Sequence, residues 1–86
     1  MENKDYIKVT KISDLFLAST LLCLDFNVMG IDDTNPKRVF FYFDSSLELD
    51  KTITSYWNDG VSVNPKLLNS YRRELLSRIK QGERVR

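Results

Sequence analysis

The chain has 86 residues, of which 42% are hydrophobic and 29% are charged, and its formal net charge is +1. This length suits one small domain with a single core, and the composition excludes a disordered or low-complexity chain. With no histidine and one cysteine, Cys23, the chain has no imidazole base, no intramolecular disulfide and no Cys/His zinc set. We therefore expect a single domain over residues 1–86 that is not an enzyme and uses no cofactor or metal.

The first predicted elements are a short strand and a central helix. Residues 6–10 alternate, with Ile7 and Val9 on one side, which is typical of a half-buried strand. Ser13 precedes an apolar segment and is the expected N-cap of a helix over residues 14–24. Apolar residues occupy well over half of the circumference of that helix, so we expect several elements to pack around it.

The same apolar run bears on localisation. It is interrupted by Ser19 and Thr20, and its length is about half of what a helix needs to span a bilayer. The first five residues include acids and no apolar signal segment. Cys23 lies among leucines and is expected to be a buried, unreactive thiol. These features predict a cytoplasmic protein without a membrane partner.

Two strand-like runs follow, residues 26–31 and residues 38–43, separated by a cluster of turn-forming residues at 32–37. Two such runs on either side of turn formers predict a β-hairpin with a longer loop.

Four consecutive aromatic residues dominate the second strand of that hairpin. Because strand side chains alternate, Phe41 and Phe43 face one way and Phe40 and Tyr42 face the other. A chain of this size can cover one sheet face with its own helices. The second pair must then meet another helix, a second subunit or a ligand, and exposed aromatic rings can also stack on nucleobases.

A second helix is predicted over residues 46–58. Ser45 and Glu48 form the pattern of a capping box at its start, and Gly60 is the expected C-cap. Near its end, one ring of the pair Tyr56 and Trp57 is expected in the core. The other ring is then partly exposed, and it either packs over an edge with its polar atom in water or is an anchor for a protein partner.

A third helix is predicted to begin at Asn64 and Pro65, an N-cap followed by proline at the first helical position. Residues 66–86 contain seven Lys or Arg against two Glu, a net charge of +5. This surface could contact phosphates or simply face solvent. Its candidate cations are Lys66, Arg72, Arg73, Arg78 and Lys80.

The order of elements is therefore strand, helix, strand, strand, helix, helix. It predicts an α+β fold in which a small sheet of two to three strands packs with three helices. The ends, residues 1–5 and 82–86, are expected to fray.

Four motifs carry a resemblance to a known family: Ser13-Asp14-Leu15 with Ala18 and Leu22, the strand Val39-Phe40-Phe41-Tyr42-Phe43, Ser55-Tyr56-Trp57-Asn58, and Val63-Asn64-Pro65. Over roughly residues 10–80 the chain resembles a small bacterial and phage domain family of unknown function that recurs on mobile elements. The resemblance implies no activity. It implies a phage or prophage context, in which small proteins bind host machinery, including defence systems. The chain departs from the family pattern at Leu24-Asp25, where a glycine-containing helix end is expected.

Our leading hypothesis from the sequence is a non-catalytic, homo-oligomeric interaction protein that binds a host protein or a small anionic ligand, with a counter-defence role as one form of it. The alternative is a nucleic-acid-binding accessory protein that uses the basic helix for phosphates and the exposed aromatics for bases. A third hypothesis is a protein that sequesters a signalling nucleotide. The candidate binding residues are Phe40, Tyr42, Tyr56, Trp57, Lys66, Arg72, Arg73, Arg78 and Lys80.

Overall fold

A computed structural model of the protein describes the backbone of residues 8–84 and the side chains of residues 8–79. Its elements confirm the predicted α+β fold and the predicted order of three strands and three helices. In chain order they are β1 (Val9–Ile12), α1 (Leu15–Cys23), β2 (Val28–Asp32), β3 (Phe40–Asp44), α2 (Leu47–Trp57) and α3 (Pro65–Arg84).

The three strands form one antiparallel sheet in the order β1-β3-β2, so the last strand in sequence is central. The first strand lies further along the chain than predicted: it begins at Val9 and ends at Ile12, while residues 6 and 7 lie outside the described part. Its buried residue is Ile12, opposite Phe41, whereas Val9 is exposed. The predicted strand ends at residue 10 because Lys11 interrupts the alternation of apolar residues. In the structure the strand continues through Lys11 to Ile12.

A β-bulge at Met29 sets the register of β2. Val28 pairs with Phe43 and Gly30 pairs with Tyr42, which leaves Met29 as the extra residue, and its side chain is exposed. The extra residue shifts the alternation by one position, so Val28 and Ile31 both pack against the core. An unbroken strand would have placed these two residues on opposite faces.

The core lies between one face of the sheet and the helices. Phe41 and Phe43 of β3 are almost fully buried there, together with leucines of all three helices. The complete buried hydrophobic cluster is Ile12, Leu17, Ala18, Leu21, Phe41, Phe43, Leu49 and Leu75. It draws on all three helices, and α1 supplies three of its members, which confirms the predicted central position of α1.

Helix α1 begins one residue later than expected, with Asp14 rather than Ser13 as its N-cap. The Asp14 Oδ1 accepts hydrogen bonds from the backbone N–H of Phe16 at 2.9 Å and of Leu17 at 3.1 Å. A carboxylate at this position also stabilises the positive end of the helix dipole, which a serine hydroxyl does less well.

The polar residues inside α1 are satisfied by the helix itself. Ser19 and Thr20 are buried, and their hydroxyls donate to the carbonyl oxygens of Leu15 and Phe16, both at 2.8 Å. Back-bonding of this kind lets a small polar residue lie in an apolar environment without an unpaired donor.

Helix α2 is capped by Ser46, and the predicted capping box of Ser45 and Glu48 is wrong. The Ser46 Oγ accepts a hydrogen bond from the Leu49 N–H at 3.0 Å. The Ser45 hydroxyl is instead paired with the Thr10 hydroxyl at 2.6 Å, which ties the end of β3 to β1. A tertiary contact thus decides which of two neighbouring serines caps the helix.

Aspartate, rather than glycine, ends both of the first two helices. Asp25 follows α1 with φ of 75° and Asp59 follows α2 with φ of 61°, both in the left-handed region. After α2, the Gly60 N–H donates to the Ser55 carbonyl at 2.7 Å, which is the long hydrogen bond of a Schellman motif. Gly60 itself does not have a positive φ, so its predicted role as the left-handed cap residue is wrong.

Helix α3 begins as predicted. The Asn64 Oδ1 accepts hydrogen bonds from the N–H groups of Lys66 at 2.8 Å and Leu67 at 3.1 Å, and Pro65 occupies the first helical position. The backbone continues as helix through residues 82–84, part of the segment expected to fray. The other residues of that prediction, 1–5 and 85–86, lie outside the described part of the chain.

The corrected cap of α1 is testable by two neighbouring substitutions. We expect Asp14→Ala to lower the free energy of unfolding by about 1 kcal/mol, because two N–H groups lose their acceptor. Ser13→Ala is the matched control and should change it by less than about 0.5 kcal/mol. Urea denaturation followed by circular dichroism measures both, and a larger loss from Ser13→Ala would contradict the assignment.

Candidate binding surface: the open face of the sheet

The face of the sheet opposite the core is not covered by any element within residues 8–84. Phe40 and Tyr42 alternate with the buried Phe41 and Phe43, so their rings project away from the helices, and both are partly exposed. The strand register adds neighbours to the two rings, because directly paired residues share a face. We call this surface the open face; its members are Val9, Lys11, Gly30, Asp32, Arg38, Phe40, Tyr42 and Asp44.

Two cations lie beside Phe40. The Lys11 Nζ and the Arg38 guanidinium carbon are each 5.7 Å from the centroid of the Phe40 ring, within cation–π distance. Lys11 is in β1, and Arg38 lies two residues before the first residue of β3. The ring therefore lies in a positively charged part of the open face.

A carboxylate lies beside Tyr42. The Tyr42 hydroxyl donates to the Asp32 Oδ2 at 3.2 Å, while the other oxygen of Asp32 accepts from the Thr34 hydroxyl at 2.6 Å and from the Thr34 N–H at 3.1 Å. The hydrogen bonds from Thr34 are the main reason that the pKa of Asp32 lies below its usual value. Partial desolvation, followed by the bond to Asp32, raises the pKa of Tyr42. Asp32 is thus an ionised acceptor, and Tyr42 stays protonated at neutral pH.

The charges of the open face are therefore mixed. Lys11 and Arg38 lie at the Phe40 side, and the acids are Asp32 beside Tyr42 and Asp44 at the far end of β3. A surface with two charges of each sign and aromatic rings at its centre is suited to a protein partner more than to a polyanion, which the two carboxylates would repel.

Of the two rings at the end of α2, Tyr56 packs against the core and Trp57 is 61% exposed. Their ring centroids are 5.0 Å apart in an edge-to-face arrangement. Burial raises the pKa of Tyr56, with a smaller contribution from the charge of Asp14. Trp57 is thus the exposed ring of the pair. That it anchors a protein partner stays a prediction.

The candidate cations of α3 are in different environments. The Arg78 guanidinium forms an ion pair with Glu74 at 2.9 Å, and the Arg72 guanidinium lies 5.4 Å from the centroid of the Phe16 ring. Lys66 and Arg73 are exposed. The side chain of Lys80 lies outside the described residues.

The structure separates the two groups of candidate residues. Leu75 of α3 is part of the core, so α3 lies on the helical side of the sheet, whereas Phe40 and Tyr42 lie on the open face. The nucleic-acid hypothesis combined the aromatic rings with the cations of α3. Phe40 and Tyr42 are therefore on the other side of the sheet from α3.

A cleft of about 330 Å³ lies where α3 approaches the start of β3. Its lining is mixed: apolar residues of both elements lie beside Lys37, Arg38 and Ser13. This volume is at the lower end of the range for small-molecule sites. The complete lining is Ser13, Leu15, Lys37, Arg38, Val39, Phe41, Leu76 and Ile79.

Sequence reasoning did not identify the charged residues of the open face. Arg38 could have been found, because it lies two residues before Phe40 and strand alternation places it on the same side. Lys11 and Asp32 could not, since their positions beside the rings depend on the sheet order and on the bulge in β2.

The model of one protein family, described as a domain of unknown function (DUF5659), matches residues 4–81 of the chain. No curated protein and no solved structure matches the chain. Across the described residues, none of the helices has both the length and the apolar character to cross a membrane. The same residues contain no group of three or more His, Cys, Asp or Glu placed to hold a metal ion.

The hydrogen bonds of Asp32 predict a pH-dependent contribution to stability. Because the folded-state pKa of Asp32 is lowered, its ionised form stabilises the protein above the ordinary aspartate pKa of about 3.9, and that contribution is lost as the pH falls through the lowered value. We expect Asp32→Asn to be less stable than the wild type at neutral pH and the difference to shrink below about pH 4.

Urea denaturation at several pH values measures this difference. Asp33→Asn is the matched control, since Asp33 is the adjacent acid and takes no part in these hydrogen bonds. An Asp32→Asn deficit that stays constant with pH would contradict the role assigned to the carboxylate.

Proposed function

Since the chain belongs to the DUF5659 family, whose description assigns no activity, we propose a function from the chemistry of its surface. The protein is a non-catalytic interaction protein that binds a protein partner across the open face. The observation that carries this proposal is the pair Phe40 and Tyr42, two aromatic rings on the central strand with no described element packed over them.

The open face offers what protein interfaces favour. Aromatic residues are enriched at the centres of interfaces, and charged groups at the periphery determine orientation and association rate. Here the two rings are central, and the flanking charges are Lys11, Arg38 and Asp44. A partner that covers the two rings removes more of their apolar area from water. This burial stabilises the complex by about 25 cal/mol per Å².

The non-catalytic part of the proposal rests on the side chains available. The chain has no histidine, and burial raises the pKa of Cys23, its only thiol, which disfavours the nucleophilic thiolate. Asp32 is held as an ionised hydrogen-bond acceptor and is not poised to exchange a proton near neutral pH.

The biological context of the proposal comes from the resemblance described above. We propose that the protein acts in the cytoplasm on behalf of a phage or mobile element, and that a host protein, including a component of a defence system, is among its partners. The support for this context is the resemblance alone.

A second candidate function, binding of a small anionic ligand, is favoured by the cleft between α3 and β3. Lys37 and Arg38 beside the apolar residues of the lining fit a molecule that joins an anionic group to an apolar or aromatic part, as a nucleotide does. Calorimetry with a panel of nucleotides and small carboxylates tests it. Binding that is lost in Lys37→Ala and kept in Lys66→Ala would support the cleft, and no heat from any compound would reject it.

The main proposal predicts that the double substitution Phe40→Ser/Tyr42→Ser abolishes partner capture while the protein stays folded. These rings lie outside the core, so we expect a loss in free energy of unfolding of about 1 kcal/mol. By contrast, Phe41→Ala removes a buried ring and should cost about 3–5 kcal/mol. The measurement is affinity capture from a host lysate with mass spectrometry, combined with thermal denaturation of each variant.

Lys66→Ala/Arg73→Ala is the control bait, because it alters the exposed cations of α3 and leaves the open face intact. Proteins captured by the wild type and by this control, and lost from the Phe40/Tyr42 variant, would support the proposal. If instead the captured material is nucleic acid, is released by salt and is lost from the control bait, the protein acts through α3 as a nucleic-acid binder.

A further inference from the structure

We infer that the open face pairs with the open face of a second copy of the chain, with the two β3 strands stacked antiparallel about a two-fold axis that passes between Phe40 and Tyr42. This inference rests on the proposed function, since it names the protein that the open face contacts.

The order of residues from Arg38 to the end of β3 is the first argument. The side chains that project from the open face are, at alternate positions, Arg38, Phe40, Tyr42 and Asp44: a cation, two aromatic rings and an acid. A second copy that runs in the opposite direction therefore places an acid opposite the cation and an aromatic ring opposite each aromatic ring. Such a pattern is what an isologous two-fold interface requires, because each residue meets a different residue of the other copy and the contact then occurs twice.

The pairing follows from the reversal. A two-fold axis across β3 places Arg38 over Asp44 of the partner subunit, and Phe40 over Tyr42 of the partner subunit. Each contact is repeated by symmetry, which gives two ion pairs at the ends and two aromatic pairs in the centre. Facing sheets keep their strand directions within about 30° of each other, so stacked β3 strands are an ordinary geometry.

The opposite orientation is disfavoured by charge. If the two β3 strands ran parallel, Arg38 would face Arg38 of the partner subunit and Asp44 would face Asp44 of the partner subunit. Like charges brought together at an interface oppose association, so the antiparallel arrangement is selected. The charges of β3 thus determine the direction in which two copies meet.

The size of the open face predicts the strength of the dimer. Three strands about 4.8 Å apart, and residues 38–44 at about 3.4 Å per residue, give a footprint of about 14 by 24 Å. The area of this footprint is well below the roughly 800 Å² that each partner buries in a standard protein interface. We therefore expect a weak, reversible dimer that forms in the micromolar to millimolar range and dissociates when the two symmetry-related ion pairs are replaced by like charges.

A charge-reversal experiment tests the pairing of residue 38 with residue 44. Arg38→Glu alone places two acids together, and Asp44→Arg alone places two cations together, so we expect each variant to be monomeric by sedimentation equilibrium at concentrations where the wild type dimerises. A mixture of the two variants should form a heterodimer, because both cross-pairs are then of opposite charge. The double variant Arg38→Glu/Asp44→Arg should dimerise again with itself.

The matched control is Lys51→Glu, which reverses an exposed charge on α2, outside the open face, and should leave dimerisation unchanged. Recovery of association in the mixture supports the inference, because a fold-related defect would not be repaired by mixing. A wild type that stays monomeric at millimolar concentration, or single variants that dimerise like the wild type, would overturn it.

The outcome is distinguishable from a failure of the proposed function. A strict monomer that still loses its captured partner in the Phe40→Ser/Tyr42→Ser variant would reject the dimer and leave the open face as a binding surface for another protein. A monomer whose capture is unaffected by that variant would reject both.

Discussion

The structure depends on the two-residue repeat of strand β3. Burial of Phe41 and Phe43 in the core anchors the sheet to the helices, and the same alternation forces Phe40 and Tyr42 to the other side. A shift of one residue would exchange the two pairs and expose the rings that the core needs. The register of one strand consequently determines both the stability of the fold and the chemistry of the open face.

The elements with a strong periodic pattern could be predicted from the sequence, and the caps of the first two helices could not. The hairpin, the start of α3 at Asn64 and Pro65, and the alternation of β3 follow from residues close in sequence. The caps of α1 and α2 were misassigned because two capping residues are adjacent at each, Ser13 beside Asp14 and Ser45 beside Ser46. At α2 the choice depends on the contact between Ser45 and Thr10, which are 35 residues apart.

The candidate site was predictable only in part, for the same reason. Alternation alone identified the aromatic pair of the open face. The neighbours of those rings, Lys11 and Asp32, are determined by the order of strands and by the bulge at Met29, neither of which has a local signal strong enough to be recognised. The basic character of α3 was visible in the sequence, but its position on the helical side depends on the burial of Leu75.

The strand order β1-β3-β2 also has a consequence for biosynthesis. The two outer strands are made before the central one and have no hydrogen-bonding partner until the ribosome has released β3 as far as Asp44. Until then, α1 is a short apolar helix with no sheet to pack on, and Leu75 arrives later still. The sheet of the nascent chain therefore cannot form before β3 has been made, and its core is complete only once Leu75 has followed.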